Sequence, residues 1–286
     1  AKIGISVVVV SWNTKDITDK CLACLKEAVE HVSDRADVEV LVVENDSKDG
    51  TPEMIRKKHS WVKLFPSGSD LGYAKGNNYG YERVNSKNKY LLLLNNDAYV
   101  KKETLAKCLD FFESKKECDV LGCQLTYENG RFQPSAGLLP SPLTIWTWML
   151  GLEKFPLIGG FFPGVHPNKE GFFQDIRQVG WIKGAFIFMK REVFVSTKGF
   201  DENFFMYMEE VEWCRRVHDK NFQIWYTPRF SITHVDKASA FGLPEELAKI
   251  YVWEMMGLVY YLRKYYKSQI QLLTNVIKFG IFVRFL

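Results

Sequence analysis

The sequence predicts an α/β fold, a mostly parallel sheet with helices on both faces, followed by C-terminal amphipathic helices. Three observations predict it. Short β-branched runs such as Ile3–Val10 and Val38–Val43 alternate with segments of helical period through the first 125 residues. The runs are largely apolar, as strands covered on both sides are. Strands that alternate with helices pair mainly in parallel, through crossover connections.

Taken in order, Ile3–Val10 reads as a buried strand ending at Ser11-Trp12-Asn13. Thr18 then opens a helix with Cys21, Leu22, Leu25, Ala28, Val29 and Val32 on one face. Val38–Val43 is a second strand that breaks into Glu44-Asn45-Asp46-Ser47-Lys48-Asp49-Gly50-Thr51. Pro52 starts a short helix, because its missing N–H is harmless in a first turn. Val62–Phe65 is a third strand, Gly72–Gly80 leads into a helix, and Lys89–Leu94 is a fourth strand ending in Asn95-Asn96-Asp97. A helix over 102–114 and a strand over Val120–Leu125 follow.

Between 127 and 178 no period holds, and glycine, proline and aromatic residues accumulate. So long a loop in a compact domain is usually functional. Its Trp146, Trp148, Leu150, Phe161 and Phe162 suit an acceptor platform, a membrane-facing flap or a small second core. Order returns with the apolar run Ile182–Met189, a helix from residue 190, a helix over Met206–Asp219, a strand over Phe222–Tyr226 and a long helix over Pro244–Tyr266.

Composition narrows the function. A chain of 286 residues with 47% hydrophobic and 25% charged residues is globular rather than disordered. A net charge of +4 without a run of like charges disfavours a nucleic-acid binder. Aromatic residues, at 15%, suit sugar stacking or a bulky core. The six cysteines form no disulfide framework, and Cys21 and Cys24 lie in an apolar helix pattern, as core thiols do. A reducing, cytoplasmic setting without a leader peptide is expected. No window reaches the length of a membrane-spanning helix.

In a parallel sheet, ligands bind beyond the carboxyl ends of the strands. Three polar clusters stand at such ends: Ser11/Asn13, Glu44–Asp49 and Asn95–Asp97. Together they point to one crevice. The first strand–helix turn has no G-x-G-x-x-G, and the chain has no G-x-x-x-x-G-K-[ST]. A diphosphate here must be held in another way, and a divalent cation on a carboxylate is the natural one.

The series Val-Val-Ser-Trp-Asn, Val-Val-Glu-Asn-Asp-Ser-Lys-Asp-Gly-Thr, Gly-Tyr-Ala-Lys-Gly-Asn-Asn-Tyr-Gly, Leu-Leu-Leu-Asn-Asn-Asp, Lys-Gly-Ala-Phe, Gly-Phe-Asp-Glu-Asn-Phe-Phe and Glu-Glu-Val-Glu-Trp-Cys-Arg-Arg resembles the family 2 inverting glycosyltransferases of GT-A fold. The bacterial rhamnosyltransferase-like branch, which builds surface polysaccharides, is the most similar. The resemblance runs over residues 1–235 and implies a Rossmann-like GT-A domain, with a nucleotide-binding half at 1–125 and an acceptor half at 126–235. Residues 236–286 remain as a helical segment for membrane association or oligomerisation.

The resemblance implies a UDP- or dTDP-sugar donor, a glycan or lipid-linked acceptor, and Mg²⁺ or Mn²⁺. It implies nucleotide contacts from Ser11 and Asn13, from Glu44 to the pyrimidine ring N–H, from Lys75 and Asn77, and from Asn96. Asp97 matches the metal-binding acid of a D-x-D motif whose first acid is Asn95 here. His234 matches a histidine that reaches the metal or the diphosphate. Gly184 and Ala185 match the loop at the donor sugar and acceptor. Glu209-Glu210 takes the place of a Glu-Asp pair, with Glu210 as the catalytic base and Glu209 beside the sugar.

The chemistry has the same outline without the family. Inverting transfer needs one base at the acceptor hydroxyl and an electrophile at the leaving diphosphate. On a helix Glu210 shares a face with Trp213, Cys214 and Val217, while Glu209 aligns with Glu212 and Arg216. An apolar face raises a carboxyl pKa and the first helical turn lowers it, so the net direction stays open. The three glutamates also read as a capped, solvated helix start, and His234 as a structural histidine. Asn95 and the double glutamate leave room for a non-catalytic carbohydrate-binding protein. In the tail, Val259–Leu286 has five basic residues and no acid. Such a helix suits either an anionic membrane surface or packing on the sheet or in a dimer.

Overall fold

The computed structural model describes residues 2–152, 165, 167, 170–236 and 244–284. Phe161 and Phe162 lie outside them. The first half follows the expected alternation: β1 (Ile3–Ser11), α1 (Lys15–His31), β2 (Ala36–Glu44), α2 (Thr51–Lys58), β3 (Lys63–Pro66), α3 (Gly72–Tyr81) and β4 (Tyr90–Asn95). Next come β5 (Ala98–Tyr99), α4 (Thr104–Ser114) and β6 (Val120–Thr126). The aperiodic middle holds short pieces, β7 (Phe132–Gln133), β8 (Ala136–Gly137), α5 (Pro142–Met149), β9 (Arg177–Gln178) and β10 (Trp181–Ile182). The chain closes with β11 (Phe186–Lys190), α6 (Arg191–Thr197), α7 (Glu209–Asp219), β12 (Ile224–His234), α8 (Pro244–Tyr265) and α9 (Ile270–Arg284).

The main sheet has the order β3-β2-β1-β4-β11-β6-β12-β5. β1 runs parallel to β2 and β4, β2 to β3, and β6 to β12, while β11 lies antiparallel between β4 and β6. The pleat sends alternate side chains to opposite faces. Ile5, Val7 and Val9 of β1 and Leu92 and Leu94 of β4 join a core with Leu22, Leu25 and Leu105 from α1 and α4. Val8, Leu91 and Leu93 join the opposite core, with Ala74 of α3, Trp213 of α7, Tyr261 of α8 and Leu273 of α9. This is why the strands read as largely apolar runs. α3 approaches so closely that a Cβ on Gly80 would stand 2.4 Å from Val8 Cγ1.

Three elements differ from expectation. α1 begins at Lys15, so Thr18 lies inside it with its hydroxyl engaged by neighbouring polar groups. α7 begins at Glu209 rather than near Met206, because Tyr207 (φ 68°) and Met208 (φ 70°) are left-handed and interrupt a helix. β12 continues past Tyr226 to His234: Pro228 looks like a break, but the register shift between Thr227 and Ser231 absorbs it.

The tail packs on the domain through one face. Leu273, Val276 and Ile277 of α9 are buried, and a Cβ on Gly280 would meet Met149 of α5 at 2.8 Å. The other face of α9 carries Leu272, Phe279 and Phe282, exposed by 54, 56 and 61%. α8 is tied to α7 by charge: Lys264 Nζ donates to Glu212 Oε1 and to Asp201 Oδ2, both at 2.8 Å. Glu212, fully buried, also receives Arg216 Nε and Nη2 and the Tyr265 hydroxyl, so its charge is compensated on several sides.

Candidate active site

The three polar strand ends converge on one cleft. Trp12 and Thr14 beyond β1, Asn45 beyond β2 and Asn95–Asp97 beyond β4 form one wall. Lys183, Gly184 and Ala185 from the β10–β11 turn, Glu209 and Glu210 from the start of α7, and His234 and Asp236 from the end of β12 form the other.

Asp97 is 7% exposed, and its Oδ1 faces His234 Nε2 at 3.3 Å. His234 Nδ1 lies 2.8 Å from Gln133 Oε1, a contact that orients the ring with Nε2 towards the carboxylate. Asp97 Oδ1 is buried without a hydrogen-bond donor. A buried carboxylate oxygen and an imidazole nitrogen side by side, with the second ring nitrogen held by a side-chain carbonyl, make a donor set that fits a divalent cation, which would take the place of the proton between them. Among the described residues no cluster of three or more His, Cys, Asp or Glu forms around them. Burial acts to raise the Asp97 carboxyl, but His234 and Lys183 outweigh it and hold the group below the usual range.

Asn96 Nδ2 donates to Thr14 Oγ1 and, at 3.0 Å, to Thr18 Oγ1. Thr18 Oγ1 in turn shares a hydrogen bond of 2.8 Å with Ser11 Oγ. The hydroxyl cluster therefore fixes the residue beside Asp97. Ser11 itself is wholly buried behind the cleft.

The left-handed Tyr207 and Met208 deliver Glu209 and Glu210 to the first turn of α7 at the cleft. Glu209 is 4% exposed and Glu210 half-buried, and Oε2 of each is buried without a partner. Burial and the neighbouring Glu210 push the Glu209 carboxyl well above the usual range. Burial raises Glu210 as well, against its own backbone amide, Lys183 and Gly184, which pull the other way. Burial thus outweighs the helix N-terminus, and the direction left open by sequence is upward. Gly184 O accepts from the Tyr73 hydroxyl at 2.7 Å, and a Cβ on Gly184 would collide with that oxygen at 2.8 Å. Ala185 is buried beside it.

The remaining expected nucleotide residues flank the cleft without lining it. Asn13, left-handed at φ 47°, joins β1 to the loop after β2: its N–H donates to Ser47 Oγ and its Oδ1 accepts from Lys48 N–H. Glu44 is 2% exposed, and Oε1 accepts the Ser47 amide at 2.8 Å. Asn77 Nδ2 donates to Tyr73 O, and Lys75 is exposed. Residues that sequence reasoning passed over do line it: Asn45, whose buried Oδ1 has no donor, Asp70, Tyr73, Lys183 and Asp236. Lys183 stands in the quoted Lys-Gly-Ala-Phe stretch, so a signal was present there. Asp70 and Asp236 sit in turns whose placement only the tertiary fold decides.

A family model described as glycosyl transferase family 2 matches residues 6–210. The chain is 26% identical over 242 residues to N-acetylglucosaminyl-diphospho-decaprenol L-rhamnosyltransferase of Mycobacterium tuberculosis, covering 80% of this chain and 75% of the relative. It is 24% identical over 269 residues to the rhamnosyltransferase WbbL of Escherichia coli, covering 90% of this chain and 92% of the relative. Glucosyl-3-phosphoglycerate synthase of Mycobacterium tuberculosis, solved with Mn²⁺, UDP and glucosyl-3-phosphoglycerate, shares the GT-A fold: the TM-score is 0.57 at 11% identity, over 91% of this chain and 80% of that one. With the strand ends, the acidic pair of α7 and the Asp97–His234 pair in one cleft, and the family model spanning most of the chain, this protein belongs to glycosyl transferase family 2, in its rhamnosyltransferase-like branch.

Proposed function

We propose that the chain transfers a sugar, with inversion, from a UDP- or dTDP-sugar such as dTDP-rhamnose to a glycan or lipid-linked acceptor in surface polysaccharide synthesis. The observation that carries this is the raised carboxyl of Glu210 in the same cleft as Asp97 and His234. Glu210 takes the proton of the acceptor hydroxyl as that oxygen attacks the anomeric carbon, and a raised pKa makes it a stronger base. Glu209, deeper and likewise raised, lies beside the sugar and keeps a second negative charge from building up. Gly184 and Ala185 border the sugar, and the missing side chain of Gly184 lets Tyr73 pack against this loop.

Asp97 and His234 would hold Mg²⁺ or Mn²⁺, which supplies charge stabilisation to the leaving diphosphate. Asn96 keeps Asp97 in register. Ser11, Asn13, Glu44, Lys75 and Asn77 shape the nucleotide side from behind or from the rim. A nucleoside-diphosphate donor held with a divalent cation is supported by the Mn²⁺ and UDP of the solved neighbour, and a lipid-linked acceptor by the name of the mycobacterial relative. Release of nucleoside diphosphate from UDP- and dTDP-sugars tests the reading. A chain that binds sugar but releases nothing is a non-catalytic carbohydrate-binding protein instead.

In our reading the segment 236–286 associates with the inner face of the cell membrane. No helix among the described residues is long and apolar enough to cross a bilayer. The outer face of α9 combines Leu272, Phe279 and Phe282 with Lys278, and Leu143 and Trp146 of the adjoining α5 are also exposed. Apolar residues beside a cation and no acid match an anionic lipid surface. A homodimer through the same face is the competing outcome.

A further inference from the structure

The cleft has an unusual charge balance for a site that receives an anion. Its lining includes five acidic side chains, Asp70, Asp97, Glu209, Glu210 and Asp236. Among the described lining residues Lys183 is the one lysine or arginine. A nucleoside diphosphate entering this cleft needs more positive charge than a metal held by a single acid and an imidazole provides.

Lys183 is built into place. Its backbone N–H donates to Ser135 O at 2.8 Å, and it precedes Gly184 in the turn between β10 and β11. Its Nζ donates to Asp236 Oδ1 at 3.1 Å, with the two side chains 27 and 21% exposed. An ammonium group has three N–H donors, and among the described residues this bond uses one. Asp97, Gly184 and Glu210 line the cleft beside it. Lys183 therefore shares one cleft with the cation-binding pair and the base. At Asn95 the chain carries an amide where the family motif has its first acid, so the motif offers one carboxylate, Asp97, instead of two.

We propose that Lys183 is a diphosphate-contacting catalytic residue, which donates N–H bonds to the β-phosphate oxygens of the donor and stabilises the charge that collects there as the sugar leaves. The proposal rests on the reading of the cleft as a nucleotide-sugar site. In the step, the acceptor oxygen forms its bond to the anomeric carbon and its proton passes to Glu210. The bond from the anomeric carbon to the diphosphate oxygen breaks, and the electron pair stays on that oxygen. Lys183 keeps its proton and contributes charge and hydrogen bonds. Asp236 holds the ammonium in the free protein and shares it with the diphosphate in the complex.

The test is calorimetric binding of UDP against UMP, and of dTDP against dTMP, in Mg²⁺, to the full chain and to Lys183→Met and Lys183→Arg. A charge-assisted contact to the β-phosphate gives the full chain a preference for diphosphate that Lys183→Met loses by about 10- to 100-fold, with monophosphate affinity unchanged. Lys183→Arg keeps most of the preference. A merely structural lysine would weaken both nucleotides alike. If Lys183→Met fails to fold, Lys183→Gln, which retains a hydrogen-bonding head, replaces it in the same comparison. Undiminished diphosphate preference in the uncharged variant overturns the proposal and leaves the donor site standing. A full chain that does not distinguish diphosphate from monophosphate overturns the donor site, and the proposal with it.

Discussion

Asn96 Nδ2 donates to Thr18 Oγ1 at 3.0 Å, joining the end of the central strand β4 to the first helix across 78 residues of sequence. Thr18 also bonds Ser11, so one buried hydroxyl connects β1, α1 and the Asp97 loop. Thr18→Val keeps the shape and removes these bonds together with the one to Thr14 Oγ1, leaving the Asn96 amide without one of its acceptors. The expected loss is about 2 kcal/mol of stability and roughly tenfold in transfer, because Asp97 loses its register. Thermal melting and steady-state kinetics check it. A variant as stable and as active as the parent would remove the hydroxyl cluster from the account of the site.

Asp97→Ala removes the one buried carboxylate of the cation-binding pair. Transfer is abolished, and the increase in nucleotide affinity on adding Mg²⁺ or Mn²⁺ disappears in titration calorimetry. Undiminished turnover with metal still required contradicts the assignment of this residue.

The acidic pair gives a pH signature in two measurements. Glu210 must be ionised to accept a proton, and burial raises it, so the acid limb of the transfer rate has its midpoint above the ordinary glutamate range. Stability moves the other way. A carboxyl whose pKa rises on folding binds its proton more tightly in the folded state, so its contribution is present at low pH and is lost as pH rises through the folded value. Both carboxyls are raised, and Glu209 is the more deeply buried of the two. Glu209→Gln therefore melts at a higher temperature than the parent at neutral pH, and the gain shrinks in acid. A destabilised Glu209→Gln at neutral pH contradicts the buried, raised carboxyl.

Much of this was legible in the amino-acid order. The apolar runs of β1, β2 and β4 announce strands buried on both faces because their alternate residues serve two separate cores. The polar ends announce the cleft because parallel topology brings strand ends together. Other features depend on contacts between distant segments. The left-handed Tyr207 and Met208 that set the start of α7 carry no local glycine signal, and Pro228 inside β12 reads locally as a break. Ser11 and Glu44 stand at strand ends, yet hydrogen bonds to Thr18 and Ser47 hold them behind the cleft, while Asn45, the next residue, lines it. The faces of α9 were ambiguous because Leu272 and Leu273 are alike in sequence, and only packing on α5 leaves the first exposed and buries the second.

The exposed face of α9 makes a direct prediction. Phe279→Ser with Phe282→Ser leaves Leu273, Val276 and Ile277 in place, so the chain folds and melts close to the parent. Binding to vesicles with anionic lipid, measured by co-sedimentation, falls severalfold, and activity on soluble donor is retained. Removal of 268–286 altogether is more damaging than a simple anchor would be, since it uncovers Met149 and Ile145. Equal vesicle binding by the double variant, or a change from dimer to monomer, assigns the face to something other than a membrane.

The most direct measurement is release of nucleoside diphosphate from a panel of UDP- and dTDP-sugars, dTDP-rhamnose included, in Mg²⁺ or Mn²⁺, by the parent chain and by Glu210→Gln. The parent releases diphosphate from one or more donors. Glu210→Gln folds and binds the same donor and metal with unchanged affinity, and transfer drops by roughly two to four orders of magnitude, the range for loss of a general base. Glu209→Gln loses less. No release by the parent from any donor, or full release by Glu210→Gln, contradicts a transferase that uses Glu210 as its base.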